Sequence, residues 1–276
     1  YSLENVRLLL NAGADPARGG ANQPTPLVAA VRRGEATAVQ ALLDRKADVN
    51  GHGANEPSPL IAAVNDGNAV IALQLLAAGA NPNSKDAYGN TALALAASGG
   101  RAQIVGHLLQ SKADPSLADS AGHTPLWNAA CRDQAEIVGQ LLQSGAAPDA
   151  GDADGLTPLG CAAARGYANT VDRLLRGGAS AKVRTKTGDT PLMLAAGAGH
   201  VDAVKRLLAA SSDANLQNRY GDTALILASQ AGRAEVVKLL VGSGASKAIR
   251  NRDGVDAADA AKARGFGEIV TLLGRG

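Results

Sequence analysis

An all-α solenoid, a stack of helix-turn-helix units with projecting hairpin-like loops, is predicted by three features of this 276-residue chain. A signature recurs every 33 residues: Thr25-Pro26-Leu27 returns as Ser58-Pro59-Leu60, Thr91-Ala92-Leu93, Thr124-Pro125-Leu126, Thr157-Pro158-Leu159, Thr190-Pro191-Leu192 and Thr223-Ala224-Leu225, with a degenerate eighth copy at Asp256-Ala257-Ala258. Two phases inside that period are constant, an alanine (Ala30, Ala63, Ala96, Ala129, Ala162, Ala195, Ala228, Ala261) and a leucine (Leu9, Leu42, Leu75, Leu108, Leu141, Leu174, Leu207, Leu240, Leu273). The prolines outside the signature, Pro16, Pro24, Pro57, Pro82, Pro115 and Pro148, all fall between the helices this pattern predicts. A unit of this size buries its apolar face only against its neighbours, so residues 1–276 are read as one solenoid.

The elements follow in chain order. Tyr1 opens directly on a second-helix pattern (Val6, Leu9, Leu10), so residues 1–15 are read as a partial N-terminal repeat and the N-terminus as trimmed. Each of the eight full repeats then begins with Thr, Ser or Asp, whose side chain accepts a hydrogen bond from the free N–H groups of a helix start. Proline follows in five copies, at the first helical position, where its missing N–H costs nothing. The constant alanine suits a first helix pressed closely on its neighbours. Gly34, Gly67, Gly100, Gly166, Gly199, Gly232 and Gly265 then end that helix, with Asp133 the one departure. The constant leucine, with Val39, Val105, Val138, Val171, Val204, Val237 and Val270 three residues before it, forms the buried stripe of a second helix. Gly89, Gly122, Gly155, Gly188, Gly221 and Gly254 fit a tight turn two residues before the next cap, whereas the first two repeats carry the near-duplicate loops Gly20-Ala21-Asn22-Gln23-Pro24 and Gly53-Ala54-Asn55-Glu56-Pro57. Residues 256–276 read as a capping repeat and the natural C-terminus, since Asp256, Asp259 and Lys262 put charge where earlier copies are apolar or small.

The Gly-x-Thr-Pro-Leu opening, the alanine pair, the mid-unit glycine and the Leu-Leu-x-x-Gly-Ala-Asp ending (Leu9-Leu10-Asn11-Ala12-Gly13-Ala14-Asp15) resemble the ankyrin repeat over essentially the whole chain. One departure matters. The family pattern has His after Thr-Pro-Leu, and here Val28, Ile61, Ala94, Trp127, Gly160, Met193, Ile226 and Asp259 stand there, so the hydrogen bonds of that His between loops are expected to be missing.

Composition narrows the function. Aromatic residues make up 2% of the chain, which suits a core of closely packed Ala, Leu and Val helices. A net charge of +2 makes neither nucleic acid nor an acidic membrane a default partner, and no apolar run is long enough for a membrane span. Cys131 and Cys161 stand seven and four residues after their caps, an offset of about one helical turn, so no disulfide is expected; Cys161 reads as a small core residue and Cys131 as facing the binding side. A Cys131/His123 nucleophile pair oriented by Asp119 or Asp154 is outweighed by the reading of these residues as loop-tip side chains. The histidines have no metal-ligand spacing with one another or with cysteine, so no metal or cofactor is expected. The chain is expected to be soluble, non-catalytic and monomeric on its own, with a cytoplasmic location preferred and a periplasmic or secreted one left open by the trimmed N-terminus.

The resemblance implies recognition through a concave face made of loop tips and first helices, with a protein as the partner. The positions it assigns are the variable ones in this chain: Tyr88, Asn90, His123, Trp127, Arg132, Asp154, Arg165, Lys186, Arg219, Tyr220, Gln230 and Arg252. Tyr88, Trp127 and Tyr220 stand out as large amphipathic side chains in an aromatic-poor chain. Charge is uneven along the tips, with Asp114, Asp119, Asp149, Asp152 and Asp154 central and Lys182, Arg184, Lys186, Arg219, Lys247, Arg250 and Arg252 beyond them. The basic stretch supports an alternative reading as a nucleic-acid or anionic-surface binder, against which the interleaved Asp189, Asp222 and Asp253 count.

Overall fold

The computed structural model describes residues 8, 12–13, 15, 24–52, 56–210 and 212–274. Among them are sixteen helices and, in place of a sheet, a single isolated bridge between Lys85 and Thr91. Asn22 and Asn55, with most of the two near-duplicate loops, lie outside the described residues.

The chain divides into two compact units, Tyr1–Pro125 and Leu126–Gly276. The first holds α1 (Pro26–Arg32), α2 (Ala36–Asp44), α3 (Pro59–Asn65), α4 (Ala69–Ala77), α5 (Ala92–Ser98) and α6 (Ala102–Gln110). In it the first helices α1, α3 and α5 pack in succession, as do the second helices α2, α4 and α6. The second unit takes nearly all of α7 (Pro125–Ala130), then α8 (Ala135–Gln143), α9 (Pro158–Ala164), α10 (Ala168–Arg176), α11 (Pro191–Ala198), α12 (Val201–Ala209), α13 (Ala224–Gln230), α14 (Ala234–Gly242), α15 (Ala257–Ala263) and α16 (Gly267–Leu272). Here α9, α11, α13 and α15 form one row and α8, α10, α12, α14 and α16 the other.

The repeated residues account for this arrangement. Seven signature side chains, Thr25, Ser58, Thr91, Thr157, Thr190, Thr223 and Asp256, accept a hydrogen bond from a backbone N–H in the first turn of the helix they open. The alanine phase and the leucine phase are buried wherever they are described. Alanine lets neighbouring first helices approach, and leucine fills the space beneath; truncating one such leucine to alanine costs about 2–5 kcal/mol in a packed core.

Some of the glycines that end a first helix also meet the next repeat closely. At Gly232 the backbone is left-handed (φ 71°), and a Cβ there would lie 2.7 Å from the ring of Phe266 in the next repeat. A side chain there is disfavoured by backbone and by neighbour alike. Asp133 takes the same conformation (φ 58°) without glycine, and its Oδ1 accepts from the Oγ1 of buried Thr170 at 2.7 Å.

The missing family His leaves the second unit better linked than its sequence implies. Trp127 stands at that position and donates its indole N–H to the carbonyl of Leu156 in the next repeat at 3.0 Å. At repeat four the inter-repeat hydrogen bond is therefore present, supplied by a larger donor.

Candidate functional site

From the third repeat on, the loop tips are held by one side chain each. Five residues before those signatures stand Asp86, Asp119, Asp152, Thr185, Asn218 and Asn251, all with oxygen-bearing side chains, where the first two repeats have Gly20 and Gly53. Asp86 Oδ1 accepts from the N–H groups of Tyr88 (2.9 Å) and Asn90 (2.8 Å). Asp119 does the same for Ala121 and His123, Asp152 for Asp154 and Leu156, Asn218 for Tyr220 and Asp222, and Asn251 for Asp253 and Val255. This is the side-chain-stapled turn for which Asp and Asn are suited.

Backbone bonds then tie neighbouring tips together within each unit. In the first unit Ser120 N–H donates to Tyr88 O. In the second, Lys186 N–H donates to Asp154 O (2.8 Å), Arg219 N–H to Thr187 O (2.9 Å) and Arg252 N–H to Tyr220 O (3.0 Å). Long side chains add further links, from Lys85 to Ala118 O and from Arg184 to Gln217 O, each at 2.7 Å.

What projects from this frame is variable. Tyr88 is 76% exposed and Tyr220 61%. Arg132, Arg165, Arg219, Gln230 and Arg252 are exposed as well. Lys186 and Asp154 face each other at 3.8 Å. Asn90 is turned back on Asp86, and His123 Nδ1 lies 3.1 Å from Asp119 Oδ2. Trp127 is half-buried with its indole N–H already engaged. Tyr88, Asn90 and His123 belong to the first unit and the other nine to the second.

Two carboxylates are set below the ordinary range. Burial of Asp119 pulls its pKa up, but the N–H groups of His123 and Ala121 and the His123 ring outweigh it. Asp114 is lowered by the hydroxyl and N–H of Ser116.

The cysteines correct the sequence-based expectation. Cys131 and Cys161 form a disulfide with Cα atoms 5.4 Å apart, and both residues are buried. No free cysteine is found among the described residues, so a Cys131 thiolate nucleophile has no basis. The expectation failed because it compared equal phases. Neighbouring first helices face each other one turn out of step, so the seventh residue after one cap meets the fourth after the next. Gly197 and Leu227 hold the same two positions farther along, and a Cβ on Gly197 would lie 3.7 Å from the Leu227 Cβ, the separation that suits a disulfide.

Sequence reasoning also missed a groove in the second unit. It has a volume of about 310 Å³, with Met193, Leu194 and Leu227 below and Asp189, Asp222 and Tyr220 at the tips. The sequence signal lay at the fourth residue after each cap, which runs Ala29, Ala62, Leu95, Asn128, Cys161, Leu194, Leu227 and Ala260 beside an unvarying alanine. A larger cavity of about 590 Å³ beside Tyr167 differs in kind, since its Lys205 is already paired with Asp202 and its Arg206 with Asp172.

Paired short helices in two rows within each unit, joined by stapled tips, define a helical repeat protein. A family model for ankyrin repeats, three copies in length, matches residues 1–86, 49–119, 93–184 and 159–251. The chain belongs to the ankyrin repeat family, whose repeats are generally protein–protein interaction modules and typically non-catalytic. No curated protein gives a significant match to the chain. Among the described residues no helix is long and apolar enough to cross a membrane.

Proposed function

We propose that the chain is a non-catalytic scaffold, regulator or inhibitor that binds a partner protein through its loop tips and first helices, the concave face of the family. The observation that carries this reading is the locked tip: side-chain staples and tip-to-tip bonds fix the backbone, while Tyr88, Arg219, Tyr220 and Arg252 project with little else to do. A surface ordered before binding loses less entropy when it binds. The anionic-surface alternative draws less support, because several of the basic side chains it needs are engaged: Lys186 with Asp154, Arg184 with a carbonyl, and Arg250 with Asp256 and Asp259.

Affinity capture at low and high salt tests both readings, using wild type, a tip variant (Tyr88→Ala, Tyr220→Ala, Arg252→Ala) and a control changed on α14 (Glu235→Gln, Lys238→Gln). A protein retained at both salts by wild type and control and lost by the tip variant is the expected result. Equal retention by all three refutes the assigned face, and nucleic acid released at high salt favours the alternative.

A further inference from the structure

We propose that the groove between repeats six and seven takes an arginine side chain from the partner protein. The proposal rests on the binding-face reading above and names the chemistry of one contact within it.

The groove exists because a side chain is missing. Gly197 and Ala198 end α11 where other repeats carry Arg32 and Arg33, or Asn65 and Asp66, and this opens the surface above Leu194 and Leu227. A cavity of about 310 Å³ lies at the lower end of the range for small-molecule sites, so it suits a side chain better than a cofactor. Its floor is apolar and would receive a long aliphatic stem.

Its rim is anionic. Asp189 accepts from Asn218 Nδ2 (2.8 Å) and Thr187 Oγ1 (2.5 Å), and Asp222 accepts from Asn251 Nδ2 (2.8 Å). All three donors are neutral, and neither carboxylate is paired with a Lys or Arg among the described residues. A carboxylate pair offers about eight lone-pair sites, of which these bonds occupy three. Charge complementarity therefore calls for a cation above an apolar floor. Tyr220 adds a ring at the same rim, on a backbone held by its N–H to Asn218 Oδ1 and by its carbonyl to Arg252 N–H. A guanidinium satisfies all three features, with a fork for the carboxylates, a plane to lie against the ring and a stem for the leucines. The basic tip residues Arg219 and Arg252 do not line the groove, so the cation it lacks is not supplied by its own neighbours.

The test is binding of fluorescein-labelled 12-residue peptides with a fixed Ala/Glu/Leu background and a central Arg, Lys, citrulline or Leu, read by polarisation. Arginine is expected to exceed citrulline by about tenfold or more, the range of a charge-assisted hydrogen bond over a neutral one. Asp189→Asn with Asp222→Asn, in a variant of unchanged circular dichroism, is expected to abolish that preference. Gly197→Leu keeps both carboxylates and fills the floor, and is expected to weaken the arginine peptide by a similar factor. Equal binding of arginine and citrulline peptides, or a preference that survives both variants, overturns the proposal. Self-association of the chain that disappears in the Asp→Asn variant also overturns it, by making a second copy the occupant. If the arginine preference is absent while capture still depends on Tyr88, Tyr220 and Arg252, this contact fails and the binding-face reading stands; loss of that dependence removes both.

Discussion

Reducing the Cys131–Cys161 bond is expected to destabilise the second unit by about 3.6 kcal/mol. The bond closes a loop with a sequence separation of 30, which contains α8 and the tip that leads into α9. The chain-entropy relation, −2.1 − 1.5R ln n cal/mol/K, gives about −12 cal/mol/K for that loop, or about 3.6 kcal/mol at 25 °C. Trp127 is the only tryptophan in the chain and lies four residues before Cys131, so its fluorescence reports on the segment in question. Urea titrations of oxidised and reduced protein should differ in midpoint by more than about 1 M for an m-value of about 2–3 kcal/mol/M. Alkylation under denaturing conditions gives an independent check. Protein prepared under oxidising conditions should take no iodoacetamide before reduction and two equivalents after it. Two reactive thiols before reduction, or coincident midpoints, would refute the assignment. A structural disulfide also belongs to an oxidising compartment, so its detection in protein from the native source would argue against the cytoplasmic expectation.

Three further outcomes are expected. Ser229→Ala should stabilise the second unit by about 1 kcal/mol, because Ser229 Oγ is buried without a hydrogen-bond partner where Ala97, Ala130, Ala163 and Ala196 hold the same phase; a lower midpoint in chemical denaturation would contradict this. Gly232→Ala should cost about 1–3 kcal/mol more than Gly244→Ala, since both backbones are left-handed but a Cβ at Gly244 meets nothing within 4 Å while one at Gly232 meets Phe266; Phe266→Ala should recover part of the difference in a double-mutant cycle. Asp119→Ala should lower the melting temperature at pH 7 and matter less at pH 2. The folded pKa of Asp119 lies below its ordinary value near 3.8, so its contribution is present above that value and is lost as pH falls through the folded pKa. A Tm difference that is constant across this range would show that the carboxylate charge is not what holds the tip.

The caps, the alanine and leucine phases and the left-handed glycines were legible because each is a local requirement met again in every repeat. Thr190 caps α11 for the same reason that Thr223 caps α13, and repetition makes the reason visible. What was hidden depends on how one repeat sits against the next. Cys131 and Cys161 differ by one turn in phase, and only the stagger of adjacent first helices brings them together. Trp127 read as a departure from the family pattern, although an indole N–H can replace an imidazole N–H if it reaches Leu156 O. The groove at Gly197 was harder still, since it is formed by an absent side chain between residues 30 positions apart.

The stapling residue separates two duties that share a loop. Asn218 holds the tip through Tyr220 N–H and Asp222 N–H, and its amide also reaches Asp189 in the preceding tip. Because that work falls on one position, the residues beside it are released from structural demands: Arg219 and Tyr220 contribute their backbones to the tip and leave their side chains outward. Such a division lets specificity change by substitution at projecting positions with little effect on stability. It also bears on Asp189 and Asp222, whose carboxylates have no Lys or Arg partner among the described residues and stand at the rim of the apolar groove. Each is oriented by a neutral amide from the next tip, which fixes its direction without neutralising its charge, and so keeps it available to a cation that arrives from outside.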